Sequence, residues 1–338
     1  MVKIRQFYLT TLTIAVLFFT ACSDEPRNDY SLSDIPQQTE VRRFDLEFFN
    51  MNPNQLETDL AKLKASYPNF WDFYAHDIMQ WSDSAIANNA RILITHPKVK
   101  DLRDTVNMVF GDFKDQAEKL EDGFKRFRHH FPELTVPEVV TAFTEFSYPT
   151  ATDDSLLVLS LELFLGADYP YYSGFNLPEY KVRRMNKAHL VKFAFEAWFD
   201  QQFGEMPIGN RMLDRMLMEG KKLYFMDLML PEEADSIRSG WTGEQLAWLE
   251  KNEFQMWTYY IDAKLLYSTN FQDFGDLMVD APYTAAPNVP PESAPRIASY
   301  SGYRIIKKYM KENPEISLAD LMYNVNADII LKESGYRP

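Results

Sequence analysis

His189 and Glu219 are the residues whose type and spacing point most directly to chemistry. Each sits in a segment longer than ten residues with apolar spacing near 3.6, Lys187–Phe199 and Met212–Tyr224, so each is expected on a helix. Two His residues one helical turn apart, with a Glu beside the first, make a hydrolytic metal site. Positions i and i+4 share a face and grip one Zn²⁺, while the Glu activates the metal-bound water. The best register here is His189-Leu190-Val191-Lys192-Phe193, and it keeps only the first His. Leu190 takes no proton and Phe193 donates to no metal. Glu219, followed by Gly220, lies 30 residues beyond His189, a suitable separation for a third ligand on the next helix. One His and one Glu do not close a zinc site. The expectation is a cleft without catalytic residues, metal or cofactor, in which Leu190 and Phe193 fill the space and His189 and Glu219 at most hydrogen-bond each other. The adjacent His129 and His130 point apart on a helix and make a poor metal pair. A hydrolase drawing its ligands from His129, His130, His189 and Glu219 is the competing reading.

The elements needed to hold such a cleft can be read on either side of it. Val139–Phe146 and Leu156–Phe164 carry β-branched or alternating apolar residues. Ser147–Ser155 between them contains Pro149 and Asp153-Asp154 and suits a hairpin connection. The prediction is a small antiparallel sheet, at about 136–165, packed on long helices in a single α+β, mainly helical domain. Val41–Phe49 alternates charged and apolar residues and reads as a strand leading into it. Asn54–Ser66 and Asp101–Phe127 read as amphipathic helices. The aromatics of Tyr67–Trp81 fall at helical spacing and are expected in the core. Thr242–Leu266 opens with a Thr-x-x-Gln capping box, 280–293 holds four prolines and reads as a loop, and two short helices follow.

At the N-terminus, Lys3 and Arg5 precede an apolar run of about a dozen residues, too short to span a bilayer, which needs about 20. Residues 1–21 therefore read as a cleaved signal peptide. Cys22, the only cysteine, stands where bacterial lipoproteins carry their acylated residue. Residues 22–40 are polar and contain two prolines, the composition of a tether. The single domain, 41–338, is long enough to bury a large core, and 46% hydrophobic with 15% aromatic content supplies the material. A formal charge of −14 makes nucleic acid a poor partner. The membrane is expected as a partner through the lipid anchor alone.

Several motifs occur together and in order: Arg42-Arg-Phe-Asp45, Tyr67-Pro-Asn-Phe70, Trp241-Thr-Gly-Glu-Gln-Leu-Ala-Trp248, Ala281-Pro282, Pro295-Arg-Ile297, Gly302-Tyr-Arg-Ile-Ile306 and Ser334-Gly-Tyr-Arg-Pro338. Behind a lipoprotein signal, this set resembles the GldB family of gliding-motility-associated lipoproteins of Bacteroidota. The resemblance implies a lipid-anchored envelope protein without enzymatic activity, supporting gliding motility and the type IX secretion machinery. It further implies other envelope or gliding-machinery proteins as partners, and Ser23-Asp24-Glu25, which resembles the acidic stretch that directs lipoproteins of Bacteroidota to the outer membrane or cell surface, favours the outer membrane over the inner. More distantly, the strands, the His189 helix and the Glu219 helix resemble zinc peptidases of the gluzincin type, which implies a degenerate peptidase fold. Its cleft would bind an extended peptide along the Leu156–Phe164 edge.

Overall fold

In the computed structural model, which describes residues 30–36, 39–206, 208–323 and 326–338, the alternating stretch at the domain entrance divides into two elements. Val41–Arg42 forms strand β1, and Phe44–Phe49 turns into helix α1. Phe44 and Phe48 stand one turn apart and both are buried, so the helical period, not the strand period, covers them. Next come α2 (Leu56–Ser66), a π-helical turn (Phe73–Ile78) and α3 (Ile86–Thr95). The aromatic stretch packs inward as expected: Tyr67, Phe70, Trp71, Tyr74 and Trp81 are all buried, and Phe44 meets Tyr67, Phe70 and Tyr74 edge-on. The single helix expected over Asp101–Phe127 is two, α4 (Pro97–Phe110) and α5 (Lys114–His130). Gly111 and Phe113 both take positive φ between them and turn the chain.

The sheet differs from the expected hairpin. Strands β2 (Glu138–Thr141), β3 (Thr150–Asp153) and β4 (Leu156–Leu159) join β1 in the order β1-β2-β4-β3. β1 pairs parallel with β2, β2 pairs parallel with β4, and only β3 runs antiparallel. The sheet is therefore mixed, and the stretch read as its connecting turn contains a strand. Leu156–Leu159, expected at the edge, is central and buried on both faces, as its unbroken apolar run requires. The two edge strands are β1 and β3, and Thr150–Asp153 is the edge beside β4.

The rest of the chain is helical: α6 (Glu179–Val182), α7 (Leu190–Phe203), α8 (Met212–Met229), α9 (Asp235–Ser239), α10 (Gly243–Lys251), α11 (Glu253–Asp262), α12 (Phe271–Phe274), α13 (Ile297–Glu312), α14 (Leu318–Tyr323) and α15 (Ala327–Ser334). The capping box is present with both of its bonds, Gln245 N to Thr242 Oγ1 at 3.1 Å and Thr242 N to Gln245 Oε1 at 3.0 Å. The helix it opens stops at Lys251, and α11 starts afresh after Asn252. Helices α8 and α13 form the main seam of the body. Their backbones meet at Gly220 and Gly302. A Cβ on Gly302 would stand 1.8 Å from Met216 O, and one on Gly220 would stand 2.4 Å from Gly302 C, so only hydrogen fits at either position. One continuous hydrophobic cluster runs from Phe44 to Tyr336 through sheet and helices, in keeping with a single domain.

Candidate functional site

Helix α7 lies beneath the sheet edge, and its sequence decides which side chains reach the opening. Leu190, Val191, Ala194, Phe195, Trp198 and Phe199 are buried and hold the helix to the core. Phe193, Glu196, Ala197, Asp200 and Gln201, spaced by three and four, face a cleft of about 470 Å³. Thr150, Ala151 and Thr152 of β3 form one wall, and Lys222 of α8 enters from the other side. In the β3–β4 ladder Asp153 faces Leu156 and Ala151 faces Val158. Ser160 N donates to Pro149 O at 3.1 Å, which sets the parity of the bonds. The backbone groups of Thr150 and Thr152 are thereby left on the free edge.

The floor of the cleft is charged but internally matched. Lys192, 2% exposed, forms an ion pair with Glu196 one turn later. Lys222 donates to both carboxylate oxygens of Asp200, at 2.8 and 2.7 Å, and ties α8 to α7. Burial pulls the Lys222 ammonium down, but Glu196 and Asp200 outweigh it and leave its pKa raised. Burial pushes the Glu219 carboxyl up, against the opposing pull of Lys222 and Arg296. Among the described residues, no group of three or more His, Cys, Asp and Glu side chains is arranged to hold a metal ion.

The residues singled out by sequence are placed differently. His189 precedes α7, at the end of a short 3-10 turn (Lys187–His189), and is 7% exposed. Its Nδ1 lies 3.1 Å from Asn186 Oδ1, which also accepts from Ala188 N, so Nδ1 carries the hydrogen. Burial, reinforced by Lys192, Arg183 and Arg184, lowers its pKa to about 4. The hydrogen-bond partner of His189 is Asn186, not Glu219. Leu190 is buried in the core, whereas Phe193 lines the open cleft and meets Phe164 edge-on, so the pair does not fill the space as predicted. His129 and His130 end α5, apart from the cleft, where Tyr30 stacks on His129 with ring centroids 3.7 Å apart. Cys22 and the signal peptide lie outside the described residues.

Counting from His189 missed the cleft-facing set one turn further on. The signal was available in Lys192-x-x-x-Glu196, a cation and an anion at i and i+4 in an otherwise apolar helix.

These features define a mainly helical α+β protein, with a cleft walled by an edge strand and floored by charges that neutralise one another. The chain belongs to the gliding motility protein GldB family, whose model matches residues 25–338. The family is one of lipoproteins, which places the chain in the cell envelope in association with gliding motility. No curated protein and no solved structure matches it.

Proposed function

We propose that this chain is a non-catalytic, lipid-anchored protein that supports gliding motility and assembly of the type IX secretion machinery, attached through Cys22 to the outer membrane. The observation that carries the non-catalytic part is the self-matching of the cleft floor. Lys192 is committed to Glu196 and Lys222 to Asp200, and His189, the imidazole whose charge Glu196 feels, is bonded to Asn186. A hydrolytic site needs a base and a metal or nucleophile held in reach of each other. The cleft suits binding better: the free edge of β3 offers unpaired main-chain groups to an extended segment of an envelope partner, a common mode of strand addition. A peptidase scaffold that has lost its ligands is one origin for this arrangement, supported by the order of edge strand, α7 and α8.

The hydrolase alternative needs His129, His130, His189 and Glu219 to converge. The stacking of His129 on Tyr30 and the bond of His189 to Asn186 weigh against that set. Metal analysis of the dialysed mature protein tests the reading. Substoichiometric zinc and no peptide cleavage are expected, while one zinc per chain, with cleavage abolished in Glu219→Ala, would overturn it. Anchoring is tested separately by fractionation. Cys22→Ser should move a folded protein out of the membrane fraction, and retention of the variant there would sink the lipid assignment.

A further inference from the structure

The chain between the anchor and the domain is fastened earlier than its polar composition suggests. Tyr30 lies flat on His129, at 3.7 Å between centroids and 20° between planes, and edge-on to His130 at 5.8 Å. Its hydroxyl is 3.5 Å from His130 Nε2. The ring is half-buried, with Arg126 and Glu232 facing its hydroxyl. Leu32–Asp34 follows as a 3-10 turn against α5, Thr39 is buried, and Val41 enters the sheet. The arm joining lipid to body is therefore the stretch from Cys22 to Tyr30, not the stretch from Cys22 to Val41.

That difference decides which faces of the body can reach the membrane. Eight residues span at most about 28 Å fully extended, and nineteen about 65 Å. A body of about 300 residues is roughly 50 Å across. An arm fastened only at Val41 would let any face turn to the bilayer, but one fastened at Tyr30 is shorter than the body is wide. The surface around Tyr30 is the C-terminal end of α5, whose last turn holds Arg128, His129 and His130. Reach, not charge, selects this end, because burial lowers the His130 pKa to about 4 and Arg126 is paired with Glu232.

We propose that the domain meets the bilayer carrying its anchor with the C-terminal end of α5, and that Tyr30 is the fastening that orients it. The proposal rests on the lipid-anchored reading of Cys22. It leaves the opposite side of the body available to envelope partners.

The test bypasses acylation. The mature chain is coupled through its sole cysteine, Cys22, to phosphatidylcholine vesicles carrying a maleimide lipid. A benzophenone amino acid is placed at exposed Glu133, three residues past His130, or at exposed Ile261 on α11. Helix α11 packs on α13, α13 on α8, and α8 on α5. Lipid crosslinking at Glu133 should exceed that at Ile261 at least about threefold, by the reach argument above. Tyr30→Ala should abolish the difference and Tyr30→Phe, which keeps the stacking ring, should preserve it. Equal yields at the two positions, or a Glu133 yield unchanged in Tyr30→Ala, would overturn the proposal. Failure of Cys22→Ser to leave the membrane fraction in cells would instead overturn the lipid assignment, so the two failures are told apart.

Discussion

The ammonium of Lys192 is buried against the carboxylate of Glu196, one turn along α7, where the side chain of Glu196 reaches the cleft. Burial lowers the Lys192 pKa, while Glu196 works in the opposite direction. Removing one partner leaves the other uncompensated, which typically costs about 3–5 kcal/mol, whereas replacing both by apolar groups of similar volume is often near neutral. Glu196 is partly exposed and keeps Lys222 and Arg296 nearby, so Lys192→Met should destabilise the fold by less than that, about 2 kcal/mol. Lys192→Met combined with Glu196→Leu should recover most of that in urea titration. A double variant as unstable as the single would show that the pair is not the unit of stability.

Glu162 supplies a pH dependence of known sign. Its Oε1 accepts from Thr144 N at 2.7 Å, Thr144 Oγ1 at 3.1 Å and Phe146 N at 3.4 Å, and so pins a turn in which Glu145 and Phe146 both take positive φ. Those bonds favour the carboxylate, but burial outweighs them and raises its pKa to about 7. The folded state thus holds this proton more tightly than the unfolded state does. Its contribution to stability is fully present below the unfolded value near 4.5 and is lost as pH rises through about 7, on the order of 3 kcal/mol in all. Glu162→Gln keeps an acceptor for Thr144 N and carries no proton. The difference in stability between variant and parent should shift in favour of Gln between pH 5 and 8, and a pH-independent difference would refute the assignment.

His189 slopes the other way. With its pKa lowered to about 4 by burial, the unfolded chain takes up the proton first as pH falls below about 6.5. Stability from this group is complete above about 6.5 and declines towards pH 4. His189→Gln should flatten that limb of the profile, read by thermal denaturation from pH 4 to 7. His189→Ala is expected to leave envelope function largely intact, because the ring is engaged with Asn186 and not with a reaction centre. Loss of motility in a folded His189→Ala protein would count against that.

The α8–α13 seam predicts a sharp intolerance. Gly302→Ala places a methyl 1.8 Å from Met216 O, a backbone atom that can move only with its helix. Overpacking of this kind costs about 1–3 kcal/mol or more. Gly111→Ala, whose Cβ would meet nothing within 4 Å, is strained only by its φ of +56° and should cost less. Equal losses for the two in parallel melts would show that the seam has room to open.

What the sequence disclosed followed from local chemistry. The Thr242–Gln245 box, the burial of Phe70, Trp71 and Tyr74, and the helices α7 and α8 were all legible because capping and period are local properties. β3 was not legible. Thr150-Ala-Thr-Asp153 is an edge strand with a single small apolar residue, and it sits between residues that read as turn formers. Nor does period 2 say whether neighbouring strands run parallel, so the β2–β4 pairing was misread as a hairpin. The break before α5 uses Phe113 at positive φ, a position for which phenylalanine gives no signal. The cleft set was displaced by one turn because His189 ends a 3-10 turn ahead of α7, which only the three-dimensional path reveals.

Pairing of Val41 with Val139 spans a sequence separation of 98, while β2, β3 and β4 all lie between residues 138 and 159. Closing a loop of that size costs about 4 kcal/mol in chain entropy beyond its constant part, and the ladder it forms is two residues long. The β2–β3–β4 unit can assemble from nearby contacts, whereas β1 joins as a high-contact-order event that needs the unit already in place. The order of assembly expected from contact order therefore runs opposite to the order of the chain: the N-terminal strand β1 is the last to become part of the sheet.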